Sequence, residues 1–381
     1  MKLFKSLLVA PATLGLLAPI AATANEVTIN DFAPAEELAI TNSRVDGLEA
    51  RMNNIEAGSF SETTTASFGV NFYAGIENDD DGGDDQDDNL TTGYDFSIGL
   101  TTSFTGEDEL AVNIEAGKSN TAGIGEFAGD TTTSEALTVD EITYTFPLGE
   151  RTTIQVGDNN DASALFTTAC VYGGPGDTLD ACGNVNAAVD NGGVMAGAAY
   201  DFGNGLTAAV GYAGDENDVA NEEGIDAYGF NVAYSADKYG LSFTLGFQED
   251  GATIPATQDN MGIDAYYALN AYFAPDTEGL PSISVGYEIG EDESVVGDAD
   301  GLTSFFVGLG WDEVGPGELG VAMGTKTPTV EDTDAQYMYE AYYSYPINDG
   351  MTITPLVYVK DVSTANTDDT TGVMVKTSFS F

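Results

Sequence analysis

From residue 63 the chain alternates apolar and polar positions with a period of two. In TTTASFGVNFYAGIE, residues 63–77, one face carries Ala66, Phe68, Val70, Phe72, Ala74 and Ile76. The other carries Ser67, Gly69, Asn71, Tyr73 and Gly75, the signature of a strand with one apolar face. Sixteen such segments follow one another, near 63–77, 90–104, 109–118, 136–147, 152–157, 194–202, 206–212, 225–235, 241–247, 262–273, 281–289, 302–311, 318–324, 335–346, 351–360 and 371–381. Their connections alternate in length. The short ones are 105–108, 148–151, 203–205, 236–240, 274–280, 312–317 and 347–350; the long ones are 78–89, 119–135, 158–193, 213–224, 248–261, 290–301, 325–334 and 361–370. A secreted β-sandwich, such as an acidic adhesin, would also alternate, with the apolar face turned to a core. A transmembrane barrel turns that face to lipid and the polar face to its lumen. Short turns at one rim and long loops at the other belong to the barrel. The pattern therefore predicts an all-β, 16-stranded antiparallel transmembrane β-barrel over residues 61–381, with the sandwich as the alternative.

The last stretch, VMVKTSFSF, sharpens this. Val373, Val375, Phe379 and Phe381 alternate with Met374, Lys376, Ser378 and Ser380. No strand edge stays open in lipid, so this strand is expected to pair with the first and close the barrel. Phe379 and Phe381 would then sit in the aromatic girdle.

Before residue 61 the period changes. In AEELAITNSRVDGLEARMNNIEA, residues 35–57, Leu38, Val45 and Met52 are seven apart, and so are Thr41, Leu48 and Ile55. These fall at a and d of three heptads. A helix this short is marginal alone in water, so the spacing predicts a coiled coil with partner chains in a periplasmic segment, 25–60. Residues 1–24 read as a signal peptide: Lys2 and Lys5, an apolar stretch from Leu7 to Ala22, then Ala22-Thr23-Ala24 as a small-residue cleavage site. No later stretch reaches the roughly 18 apolar residues of a membrane-spanning helix.

Composition narrows the function. The chain has 63 acidic and 10 basic residues and a formal charge of −53, which excludes nucleic acid as a partner, because phosphate binding needs clustered Lys and Arg. It has no histidine, so His-based triads, His₂ zinc helices and histidine general bases are absent; with no cofactor motif either, no enzyme is expected. Gly117-Lys118-Ser119 resembles the end of a phosphate loop, but Val112 stands where its first glycine belongs. The eight long loops hold 34 acids and one base, Lys326, so the acidity gathers at one rim.

Three stretches resemble the cyanobacterial branch of the OprB-like, carbohydrate-selective porin family. They are LEARMNNIEAGSFSETTTASFGVNF (48–72), ITYTFPLGERTTIQVGD (142–158) and YEAYYSYPINDGMTITPLVYVK (339–360). The resemblance implies a homotrimeric porin in outer-membrane lipid that passes inorganic ions and small solutes, with sugars and iron among the family's cargoes. Such porins usually carry an S-layer-homology domain before the coiled coil. Only about a dozen residues stand between the cleavage site and the heptads here, so cell-wall anchoring is not carried over.

The resemblance also implies that the third long loop, 158–193, folds inward as the constriction. It holds Asp158, Asp161, Asp177, Asp180 and Asp190. Cys170 and Cys182, which export permits to pair, would staple it. On the lumen phase, Asn113, Glu115, Glu340, Tyr342, Lys360 and Lys376 are the polar candidates, the two lysines as a small basic patch on neighbouring strands. The loop ENDDDGGDDQDDN (77–89) places Asp79, Asp81, Asp85 and Asp88 at EF-hand-like spacing, but strands flank it and its terminal ligands are exchanged. A solvated acidic loop with diffuse divalent binding is the expectation, and no specific metal site. The acidic mouth predicts a modest preference for cations.

Overall fold

A computed structural model describes residues 64–78, 89–118, 124–127, 136–189, 193–216, 219, 226–249, 263–291, 301–361 and 369–381. The signal segment, the heptads, and Asp79, Asp81, Asp85, Asp88 and Asp190 lie outside the described residues.

The strands are β1 (Thr64–Asn78), β2 (Thr91–Thr102), β3 (Glu109–Lys118), β4 (Thr138–Pro147), β5 (Thr152–Asn160), β6 (Gly193–Gly203), β7 (Leu206–Gly214), β8 (Asp226–Ser235), β9 (Tyr239–Glu249), β10 (Ile263–Phe273), β11 (Ser282–Glu291), β12 (Gly301–Val314), β13 (Gly317–Thr325), β14 (Thr329–Val330), β15 (Tyr337–Asn348), β16 (Met351–Lys360) and β17 (Thr370–Ser380). Each long strand pairs antiparallel with its neighbours in sequence, and β1 pairs with β17. The two-residue β14 touches only the rim of β12, while β13 pairs directly with β15. The wall is thus a closed, 16-stranded antiparallel barrel, which rules out the two-layer sandwich.

At the closing seam, Phe68 N donates to Phe381 O at 2.9 Å and Phe381 N to Phe68 O at 3.1 Å. The Phe68 and Phe381 rings stack at 5.6 Å, and Phe72 meets Phe379 edge-on at 6.1 Å. Short turns are built by local chemistry. Asn204 and Gly205, both at positive φ (57° and 84°), form the two-residue connection whose twist suits a hairpin. In the first turn Asp108 accepts from Ser103 Oγ, Phe104 N, Thr105 N and Thr105 Oγ1. The Thr105 donors hold its carboxyl well below the usual carboxylate range.

The alternation sorts side chains between two faces. Outward lie Phe72, Phe243, Leu269, Tyr287, Val357 and Val373, all exposed. Large apolar residues facing out in nearly every strand need an apolar surrounding. Inward, the pattern departs from the expected polar or small residues. Met338, Leu356 and Met374 point into the barrel yet are fully buried, with Phe306, Tyr342 and Tyr358 beside them. They are covered because chain from two long loops lies on them.

Candidate functional site

The covering chain is mainly the segment after β5, residues 161–189. It crosses the inner wall from strand to strand, and inward polar side chains satisfy its backbone. Thr167 N donates to Asn231 Oδ1 of β8 at 3.0 Å, Ala169 N to Ser242 Oγ of β9 at 2.8 Å, and Val171 N to Ser284 Oγ of β11 at 2.9 Å. Alternate N–H groups of an extended segment point the same way, so residues 167, 169 and 171 meet successive parts of the wall. The loop then reaches β15, where Tyr172 OH donates to Glu340 Oε1 at 2.7 Å. On its return, Cys182 O accepts from Asn270 Nδ2 of β10 at 2.8 Å and Gly183 O from Ser304 Oγ of β12 at 3.0 Å. Asn186 N and Ala187 N donate to Glu288 Oε2 of β11 at 2.9 and 2.8 Å. Cys170 and Cys182 form a disulfide that ties the outward limb to the returning one.

The wall makes room for this loop with glycine. A Cβ at Gly286 would collide with Cys182 O, and one at Gly211 with Ala162 O. At Gly246 a Cβ would lie 2.8 Å from Ala187 Cα, and at Gly308 2.7 Å from the Tyr172 ring.

Residues 124–127, from the loop before β4, join the same inner layer. Ile124 and Phe127 are fully buried against Tyr73, Tyr172, Leu179 and Met374. Glu126 O accepts from Asp177 N at 2.8 Å, and its carboxylate accepts from Thr178 N at 2.9 Å and pairs with Lys360.

The loops cover only part of the wall. On β8–β12, inward Asn231, Ser242, Asn270, Ser284, Glu288 and Ser304 are each at most 2% exposed. On β1–β4, inward Ser67 and Ser97 are exposed, and Asn71, Asp95, Asn113, Glu115 and Glu141 are half-buried. The open part of the lumen therefore runs along β1–β4. Three carboxylates stand there. Asp95 accepts from Asn71 Nδ2 at 2.7 Å and from Tyr73 OH. Glu141 accepts from Asn160 Nδ2 at 2.7 Å and from Asn113 Nδ2 at 3.0 Å. Glu115 is opposite Ser97, diagonal to Asp95. Amides and a phenol orient Asp95 and Glu141, and Lys376, over the Tyr73 ring, offsets part of the charge of Asp95.

The expected site residues divide accordingly. Asn113 and Glu115 lie on the open wall. Glu340 and Tyr342 point inward but are buried beneath the loop. Asp161 stands at the root of the loop. Asp177 and Asp180 lie near its far end, exposed to the lumen; enclosure by the barrel, and then Asp177 beside it, raise Asp180 to about 6.

Two placements correct the expectation. Asp158 belongs to β5, which runs on to Asn160; it pairs with Ile142, on the phase of Ile154 and Val156. The lysines do not form one patch. Lys360 is opposite Thr370 on β17, and Lys376 is six residues further along that strand, roughly 20 Å away at 3.3 Å per residue. Lys360 pairs with Glu126, while Lys376 Nζ lies 5.7 Å from the centre of the Tyr73 ring. Sequence reasoning missed Asp95, Glu126, Glu141 and Glu288. Their one signal was a charged residue on the inward phase of an otherwise uncharged strand face, or, for Glu126, a lone acid among apolar neighbours.

No model of a known family matches the chain. It is 27% identical, over 442 aligned residues covering 94% of this chain and 74% of the relative, to the uncharacterized protein alr4550 of Nostoc sp.. Among solved structures it is similar to OprB of Pseudomonas putida (TM-score 0.61, 10% identity, 84% of this chain and 94% of that one). It is also similar to an anion-selective porin from Comamonas acidovorans (0.60, 16%, 84% and 99%). A third is OmpT, an outer membrane protein of Vibrio cholerae, in its trimer form (0.57, 10%, 84% and 100%). At these identities the likeness shows a shared fold, the barrel of the porins.

Proposed function

We propose that this chain is an outer-membrane channel through which inorganic ions and small hydrophilic solutes diffuse, with a modest preference for cations. The observation that carries the reading is the contrast on the inner wall: polar residues buried under the loop along much of β8–β12, and exposed or half-buried Ser67, Asn71, Asp95, Ser97, Asn113, Glu115 and Glu141 along β1–β4. An apolar exterior suits lipid, and an unfilled polar strip inside suits water. Export by residues 1–24, assembly as a homotrimer and a coiled coil over 35–57 belong to the same proposal. The heptads and the trimeric barrel of similar fold support the assembly. Resemblance to OprB-like porins supports sugars and iron as further solutes.

The sign of the selectivity follows from the residues beside the path. Asp95, Glu115 and Glu141 line one side, Asp177 and Asp180 extend from the loop, and Lys376, opposite Tyr73 on β17, is a base on the same inward phase. Carboxylates held by neutral donors concentrate counter-ions and speed their entry. The triple variant Asp95→Asn, Glu115→Gln, Glu141→Gln is expected to move the reversal potential in a salt gradient most of the way to zero. Asp177→Asn with Asp180→Asn should move it less. An unchanged reversal potential in the triple variant would remove the wall from the path and overturn this placement of it.

A further inference from the structure

The far end of the loop rests on a buried carboxyl with an open oxygen. Glu340 projects inward from β15 and is 3% exposed. Tyr172 OH occupies Oε1, but Oε2 has no partner among the described residues. The strap Gly173–Gly176 lies directly over it; a Cβ at Gly174 or Gly176 would strike the Glu340 carboxyl oxygens. The groups facing this point come from every element packed there. The loop contributes Tyr172, Asp177 and Asp180, and the 124–127 segment contributes Glu126. From the wall come Lys360 and Tyr358 on β16, and Tyr342 on β15. Lys360 is engaged by Glu126. Four carboxyls, those of Glu126, Asp177, Asp180 and Glu340, thus lie within electrostatic reach of one another, and Lys360 pairs with one of them, Glu126. An ionised carboxylate with an unsatisfied oxygen is costly to bury, and more so beside others of its sign. A proton removes that cost and supplies a donor.

We propose that a proton held in this carboxyl cluster latches the loop: with it in place the strap stays seated on Glu340, and its loss drives the strap away from β15 and widens the lumen. The raised affinity of Asp180 for a proton, about 6 against the ordinary 3.8, agrees in direction. The sign follows from linkage. The seated state binds more protons than the released one, so seating is strongest at low pH and weakens as pH rises through about 6. The widening rests on the channel reading; the latch does not.

Hydrogen exchange of peptides spanning 172–179, in the detergent-solubilised full chain, reads the latch without conduction. Protection, corrected for intrinsic exchange, is expected to fall at least about tenfold between pH 5 and pH 8, the equivalent of one pKa unit. Glu340→Gln should abolish the fall and stay protected at both pH values. Asp180→Asn, which keeps the buried wall intact, should shrink it. Single-channel conductance should rise with pH in the wild type and stay low in Glu340→Gln. Equal wild-type protection at both pH values, or an undiminished fall in both variants, overturns the latch. A fall in protection without any conductance supports the latch and counts against the channel.

Discussion

Replacing Gly286 with valine is expected to push the loop off the wall while leaving the barrel closed. A side chain at Gly286 would occupy the space of Cys182 O and come within 2.6 Å of Asn270 Nδ2. Overpacking alone costs about 1–3 kcal/mol. Here it also breaks the bonds from Asn270 and Ser304 to the loop carbonyls, each worth about 1 kcal/mol net. The pairing of β11 with β10 and β12 uses backbone that the substitution does not touch. Detergent-solubilised Gly286→Val should therefore keep the shift in gel mobility between unheated and heated protein, and conduct more per channel than the wild type. Gly310→Val is the control, because a Cβ there meets only the Ser282 hydroxyl, at 3.0 Å. Equal conductance in the wild type and Gly286→Val would mean that the loop does not limit the path.

Truncating Glu288 to alanine is expected to free the returning limb by roughly 3 kcal/mol or more. Its carboxylate, 2% exposed, accepts from Asn186 N, Asn186 Nδ2 and Ala187 N. Alanine leaves these donors without their acceptor in a covered site, at about 1–3 kcal/mol for each that stays unsatisfied. Glu288→Gln should fall between, since its amide nitrogen opposes one donor. Rates of proteolytic nicking within 181–189 should rise strongly for Ala, less for Gln, and hardly at all for Asp177→Ala, whose side chain is exposed. Equal nicking in all three would place the holding force elsewhere.

These two variants probe what alternation alone does not encode. The period of two told inside from outside in each long strand, and loop length told one rim from the other. It did not tell a wet inward position from a covered one. Glu340 and Glu115 occupy the same phase, yet one is sealed under the strap and the other borders the open lumen. The difference comes from a loop that crosses the inner wall from β7 to β15, and its partners are single polar residues far apart in sequence, such as Asn231, Ser284 and Ser304. The glycines opposite the loop, Gly211, Gly246, Gly286 and Gly308, are a weak signal, because small inward residues also suit an open lumen. Asp158 was misplaced because β5 continues through Gly157 into Asp158, where a polar residue reads as the start of a loop. The two lysines were joined into a patch by strand adjacency, without counting the six residues that separate them along β17.

A water-filled, cation-preferring path along β1–β4 is read without intermediaries by planar-bilayer recording. The purified chain should form stable channels whose current is proportional to voltage. In a dilute potassium chloride gradient its reversal potential should show preference for the cation. The preference should decline towards 1 M salt, where the screening length falls from about 10 Å at 0.1 M to about 3 Å and only carboxylates bordering the path still act. Absence of channels, or a reversal potential of the opposite sign in dilute salt, would rule this path out.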